Sequence, residues 1–185
     1  MIDLILEETE DRMKKSVAAF RRELATIRTG KATTTLLDGI KVECYGQTMP
    51  LNQVASISVP EPRMILVQPW DKTIISDVEK AIQKSNIGLV PNTDKNVIRL
   101  PIPPLTEERR VELVKVVKKH AEDSRVSVRN IRRDSNEQLK KAQKDGEISE
   151  DDSHKAVDKV QKLTDKYIEE IDNALGEKEK EIMEV

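Results

Sequence analysis

Residues 106–144 read TEERRVELVKVVKKHAEDSRVSVRNIRRDSNEQLKKAQK. Neither Gly nor Pro interrupts them, so nothing in the stretch breaks a helix. Apolar or small residues recur at Leu113, Val117, Ala121, Ser124, Val128, Ile131, Ser135 and Ala142. These are helical steps of three, four and seven, which predict one buried stripe. At 1.5 Å per residue the helix would run about 55–60 Å. A helix that long needs long partners to cover its stripe.

The other faces of this helix are basic. Between Arg109 and Lys144 stand twelve Lys or Arg against five Asp or Glu. Lys118, Arg125, Arg129, Arg132 and Arg133 are spaced by seven, four, three and one. That spacing predicts a positive strip along one side. Arg dominates residues 125–133, and guanidinium forks suit phosphates. The strip has no aromatic residue, so it suits an RNA backbone better than splayed bases. The plainer reading of such a strip is a solvated helix face. Arg109 and Lys140 fit that plainer reading best.

The totals narrow the classes. The chain has 185 residues, 36% charged and only 2% aromatic. That composition suits long amphipathic helices better than a thick core. Net charge is only −2, yet residues 147–185 carry thirteen acids and six bases. A basic helix is thus followed by an acidic one, and a polyanion would meet the local field rather than the total. The single cysteine, Cys44, excludes an internal disulfide and a multi-cysteine metal site, and fits a reducing compartment. No apolar run is long enough for a membrane span, and MIDLILEETED is acidic and too briefly apolar for a signal or transit peptide. A cytoplasmic protein is expected.

Upstream, residues 2–28 repeat the helical pattern. Leu6, Met13, Phe20 and Ile27 fall seven apart, with Val17 and Leu24 in phase. Gly30 and the threonines after it stop this helix. Residues 40–104 change period. Ile40, Val42 and Cys44 alternate with polar neighbours, predicting a half-buried strand before a turn at Gly46. Residues 54–59 and 64–68 predict two strands around a PEPR turn, residues 74–84 a short helix, and residues 97–100 a last strand. Pro101, Pro103 and Pro104 stiffen the return, and Thr106 is placed to cap the long helix. Asp145-Gly146 ends it. Ser149 opens a third helix, with a stripe of Val157, Val160, Thr164, Ile168, Ile171, Leu175 and Ile182. Each helix alone would leave its stripe wet, so the three are expected to pack together.

Several segments together resemble one family, the ribosome recycling factors. They are RTGKA at 28–32, YGQTMPLNQVASISV at 45–59, EKAIQKSNIGL at 79–89, PPLTEERR at 103–110, VRNIRRD at 128–134, QKLTD at 161–165 and KEKEIM at 178–183. The resemblance covers nearly the whole chain in order. It implies an α+β protein with a tRNA-like outline: an elongated antiparallel three-helix bundle with a small inserted β/α domain. On this chain the bundle would comprise residues 1–29 and 106–185 and the insert 31–104, with hinges near 29–31 and 103–106. The resemblance also implies binding to the post-termination ribosome and, with elongation factor G and GTP, splitting of its subunits. By the same resemblance, Arg110, Arg129 and Arg132 match arginines that touch large-subunit ribosomal RNA. Lys31 and Cys44 depart from the family pattern, where Arg and Tyr are common, which leaves the local role of each position open.

Together these readings name an RNA-binding set: Arg110, Lys118, Arg125, Arg129, Arg132 and Arg133. Gly30, Pro103 and Pro104 are the expected hinge residues. No catalytic site, metal or cofactor is expected. His120 and His154 lack partners at metal spacing, Cys44 lacks a base, Asp151 and Asp152 read as helix-start charges, and GxxxxGK[ST] is absent. The expected partners are large-subunit ribosomal RNA and elongation factor G, with the factor itself a monomer and no membrane involved. The competing reading is a coiled-coil chaperone or scaffold that binds proteins through its charged helix faces.

Overall fold

The computed structural model describes residues 1–184 and divides into two compact units. One unit joins Met1–Thr29 to the chain from Glu107 onward, and the other is Gly30–Thr106. The α+β class read from the sequence holds, with long helices in the first unit and antiparallel strands in the second.

The first unit contains α1 (Ile2–Ala25), α3 (Glu107–Lys144) and α4 (Glu150–Met183). Side-chain pairs fix their directions. Arg12 meets Asp134, Ser16 meets Ser127, and Glu23 meets His120, so α1 runs antiparallel to α3. Gly146 reverses the chain after α3 with φ +76°, a left-handed conformation that glycine adopts without strain. Around it Glu147 N–H donates to Ala142 C=O at 2.9 Å and Gly146 N–H to Gln143 C=O at 3.0 Å. That pair of bonds satisfies carbonyls the helix end would otherwise leave open. The Ser149 hydroxyl then accepts from Asp152 N–H at 3.0 Å and starts α4.

The buried stripes differ in detail from the sequence reading. In α1 they are Ile5, Thr9, Met13, Val17, Phe20 and Leu24, with Leu6 only half-buried. The buried positions step by four, four, four, three and four, a longer average step than a heptad's, so toward the N-terminus the seam leaves the strict seven-residue repeat and falls on Ile5 rather than Leu6. The helix also stops at Ala25, three residues before the expected end, where Thr26 gives its hydroxyl to Glu23 C=O at 2.7 Å. In α3 Leu139 joins the buried stripe, and Ser124 is only half-buried. In α4 Val157, Ile168 and Leu175 are half-buried flanks, and Ala156, Tyr167 and Ala174 take the inner positions. Small inner residues let the helices approach closely, while the larger aliphatics cover the seams.

Polar groups inside this unit are mostly satisfied locally. The Thr9 and Ser135 hydroxyls lie 2.5 Å apart, each within reach of its own i−4 carbonyl. Tyr167 is different. It is 2% exposed, and no partner among the described residues meets its hydroxyl with ordinary hydrogen-bond geometry. Burial, with the nearby carboxylate of Glu10, pushes its pKa up from 10.0 to about 12. Below the unfolded value the phenol is protonated in both states, and its contribution to stability is complete. Above it the unfolded chain ionises first, so stability is lost as pH rises toward the folded value. Tyr167→Phe is expected to be nearly neutral at pH 7, since no well-formed bond is lost. Near pH 11 the variant should retain about 1.4 kcal/mol that the native chain loses. Urea unfolding at both pH values measures this, and equal alkaline losses would show that Tyr167 is not the group responsible.

The second unit pairs β1 (Lys41–Cys44) with β2 (Gln47–Pro50) through a tight turn at Tyr45 and Gly46, both with positive φ. A four-stranded antiparallel sheet holds β3 (Ala55–Glu61), β4 (Met64–Pro69), β5 (Asn92–Thr93) and β6 (Ile98–Pro101) in the order β3-β4-β6-β5. The helix α2 (Ile75–Lys84) contributes Val78 and Ile82 to a core with Val42, Ile65, Ile98 and Leu100. Cys44 is buried in the same core as a free thiol. Strands β2 and β5 are not legible in the sequence, because neither buries an alternating apolar face.

Candidate nucleic-acid interface

All of the expected RNA-binding residues stand on α3, but they do not form one uniform strip. At 3.6 residues per turn, Lys118, Arg125, Arg129, Arg132 and Arg133 fall within an arc of about 100° that extends for roughly 22 Å. The arc lies beside the seam with α4. Its members separate by what they touch.

Lys118 and Arg133 are exposed and make no ion pair among the described residues. Arg125 turns into the seam. Its Nε lies 2.8 Å and its Nη2 2.6 Å from Asp172 Oδ1 of α4, and its side chain is only 20% exposed. Partial burial opposes its charge, but bonds to Asp172 and Glu122 outweigh this and raise its pKa above the ordinary arginine value. Arg132 also leans toward α4, reaching Gln161 Oε1 at a long 3.4 Å. Arg129 points along its own helix, with Nη1 3.3 Å from Glu122 Oε1. Glu122 uses its other oxygen on Arg125 Nη1 at 3.0 Å.

Arg110 lies elsewhere. It sits in the first turn of α3, about 40° beyond the seam-side edge of the arc and roughly 12 Å before Lys118 along the axis. Its Nη1 reaches the carbonyl oxygens of Met183 at 3.1 Å and Glu184 at 2.6 Å. A guanidinium at the C-terminal end of α4 satisfies open carbonyls and complements the negative end of the helix dipole. Nearby, Thr29 gives its hydroxyl to Glu181 Oε1 at 3.0 Å, and Lys178 Nζ lies 3.6 Å from Glu181 Oε2. The last turns of α4 therefore hold the end of the α1 segment and the start of α3 together.

The expected hinge residues lie in the strand-rich unit. Gly30 has φ +80°, and a Cβ there would come 3.4 Å from Leu105 Cγ. Pro103 and Pro104 are exposed. On the helical unit, Arg109 pairs with Glu112 at 3.0 Å. His120 Nδ1 lies 2.8 Å from Glu23, and His154 stands near Glu150, each a helix-surface pair. No cluster that could hold a metal occurs among the described residues, and no described helix is long and apolar enough to cross a membrane.

The family profile of ribosome recycling factor matches residues 20–183. The chain belongs to the ribosome recycling factor family. It is similar to the ribosome-recycling factors of Halalkalibacterium halodurans and Bacillus licheniformis, 59% and 56% identical over 181 residues, with 98% of each chain covered. It is 58% identical over 185 residues to that of Syntrophomonas wolfei, with both chains fully covered. A solution structure of a ribosome recycling factor superposes with a TM-score of 0.77 at 46% identity, covering 100% of this chain and 98% of the other. A second structure, of the Thermus thermophilus factor with Escherichia coli elongation factor G on the E. coli post-termination complex, gives 0.63 at 42% identity with both chains fully covered. Ribosome recycling factors are translation factors rather than enzymes.

Glu122 and Asp172 are the site residues that the sequence reading missed. Glu122 was discoverable, since it lies three and seven residues before the arginines it binds. Asp172 was not, because only the packing of α4 on α3 brings it to Arg125.

Proposed function

We propose that the outward face of α3 docks this factor on ribosomal RNA of the large subunit after termination. Elongation factor G, with GTP, then moves the strand-rich unit on the links at Gly30 and Pro103–Pro104 and drives the subunits apart. The observation that supports docking through α3 is the outward set Lys118, Arg129 and Arg133, of which, among the described residues, only Arg129 makes an ion pair, with Glu122. Acids of α4, such as Asp172, border the other side. Phosphates are thus expected to approach from the outer face rather than over the seam. Arg125 acts mainly in holding α4. Arg110 joins the RNA-binding set by family resemblance, while its contacts here serve the end of α4. The factor is proposed to work as a cytoplasmic monomer.

Binding of purified large subunits should fall steeply with salt. With about four to six phosphates engaged, the log–log slope should be of order −3 to −5. A flat response would show that the basic arc does not carry the binding. Arg132→Ala tests the seam side of the arc. Its bond to Gln161 of α4 is long and exposed, so the stability cost should stay within about 0.5 kcal/mol. Large-subunit affinity should drop and the slope should shrink by about one unit. Unfolding of this variant under ordinary conditions would show that Arg132 is a structural residue instead.

A further inference from the structure

The docking face contains one residue of the wrong sign. Glu122 and Asp123 are the two acids between Lys118 and Arg133, and Asp123 lies about 100° further round, off the arc. Glu122 lies within it. Its two oxygens are divided between two arginines, Oε2 to Arg125 at 3.0 Å and Oε1 to Arg129 at 3.3 Å. The carboxylate is 55% exposed, so neither pair contributes much to folding.

We propose that Glu122 is a positioning residue that occupies Arg129 in the free protein and yields it to an RNA phosphate on docking, thereby limiting ribosome affinity. This rests on the RNA-docking reading above. The two arginines are not equivalent. Arg125 keeps Asp172 whether or not Glu122 stays, because two of its nitrogens already lie within 2.8 Å of that carboxylate. The contact of Arg129 is the longer and more exposed of Glu122's two, at 40% side-chain exposure. A phosphate offers it a bidentate, charge-assisted partner of better geometry. Arg129 is therefore the group exchanged.

Two effects oppose each other when the carboxylate is neutralised. Loss of ordering on an exposed helix pair weakens binding by about twofold at most. Freeing the Arg129 charge from its competing carboxylate, so that a phosphate no longer has to displace Glu122, strengthens binding by about three- to tenfold. The charge effect dominates, so removal of an apparently favourable ion pair should tighten binding.

The test uses the full chain and purified large ribosomal subunits in a salt titration. Glu122→Gln is expected to bind about three- to tenfold more tightly at physiological salt, with a slope steeper by about one unit. In an Arg129→Gln background the same change should gain less than about twofold, because the exchanged group is gone. Affinity equal to or weaker than that of the native chain would overturn the proposal, as would a gain undiminished by Arg129→Gln. A merely structural Glu122 would lower thermal stability and weaken binding together, opposite in sign to the expectation. The native titration separates the two levels: a flat native response overturns RNA docking itself, whereas a steep native response with an unchanged Glu122→Gln overturns only the role of Glu122.

Discussion

Replacing residues 32–103 with a short Gly/Ser linker is expected to yield a protein that still binds ribosomes but no longer splits them. The three helices keep their whole interior, since Met13, Phe20, Val128, Leu139, Tyr167 and Ile171 all lie in the retained unit. The two cut ends are held at one end of that unit. Thr29 is bonded to Glu181 and Arg110 to Met183 and Glu184, so both ends sit beside the last turns of α4. A short loop can therefore join them with little closure cost. The basic arc is untouched, and most of the affinity should remain. Splitting requires more, because a partner drives a change only by contacting two arrangements differently. Under the proposed mechanism the strand-rich unit is the part rearranged. The shortened protein should occupy ribosomes, give no splitting above background with elongation factor G and GTP, and inhibit the intact factor in proportion to its occupancy. Sedimentation of ribosomes with each protein, alone and mixed, measures all three. Normal splitting by the shortened protein would show that docking of the helices alone suffices.

That experiment depends on features of unequal legibility in the sequence. Long amphipathic periods located α1, α3 and α4, because a stripe repeated over many turns survives an error at any one position. The same periods misplaced the core by one residue in α4 and at the start of α1. Hydrophobicity alone ranks Val157, Ile168 and Leu175 above Ala156 and Ala174, whereas close helix approach favours the alanines inside. Strands β1, β3, β4 and β6 were legible through their apolar runs, while β2 and β5 lay beneath that signal. The arc of cations was legible because one helix carries it and its geometry follows from spacing. The division of labour within it was not. Arg125 and Arg129 look alike in sequence, and only Asp172, forty-seven residues later, makes the first a seam residue and leaves the second facing outward. Arg110 is a similar case, since the carbonyls it reaches lie seventy-three and seventy-four residues away.

This division leads to the second large effect. Joint substitution of Lys118, Arg129 and Arg133 by Gln is expected to lower large-subunit affinity by roughly 10²–10³ at about 0.1 M salt, with little change in stability. Each phosphate contact contributes somewhat under one unit of log–log slope, which at about 0.1 M salt corresponds to somewhat less than tenfold in affinity. Three contacts therefore multiply to several hundredfold, and the slope should become shallower by about two to three units. Lys118 and Arg133 are exposed without ion pairs among the described residues, and Arg129 gives up only a long, exposed contact. Changes of that kind usually stay within about 0.5 kcal/mol of stability each. Arg125→Gln supplies the contrast. It breaks a pair with Asp172 that is four-fifths buried on the arginine side and ties α3 to α4. Its cost should appear as about 1–2 kcal/mol of unfolding free energy, with a smaller loss of affinity. Salt titrations and urea unfolding on both variants should thus separate along different axes. If the triple variant unfolds readily while Arg125→Gln loses the affinity, the assignments are reversed: Arg125 meets the RNA, and the outward cations support the fold.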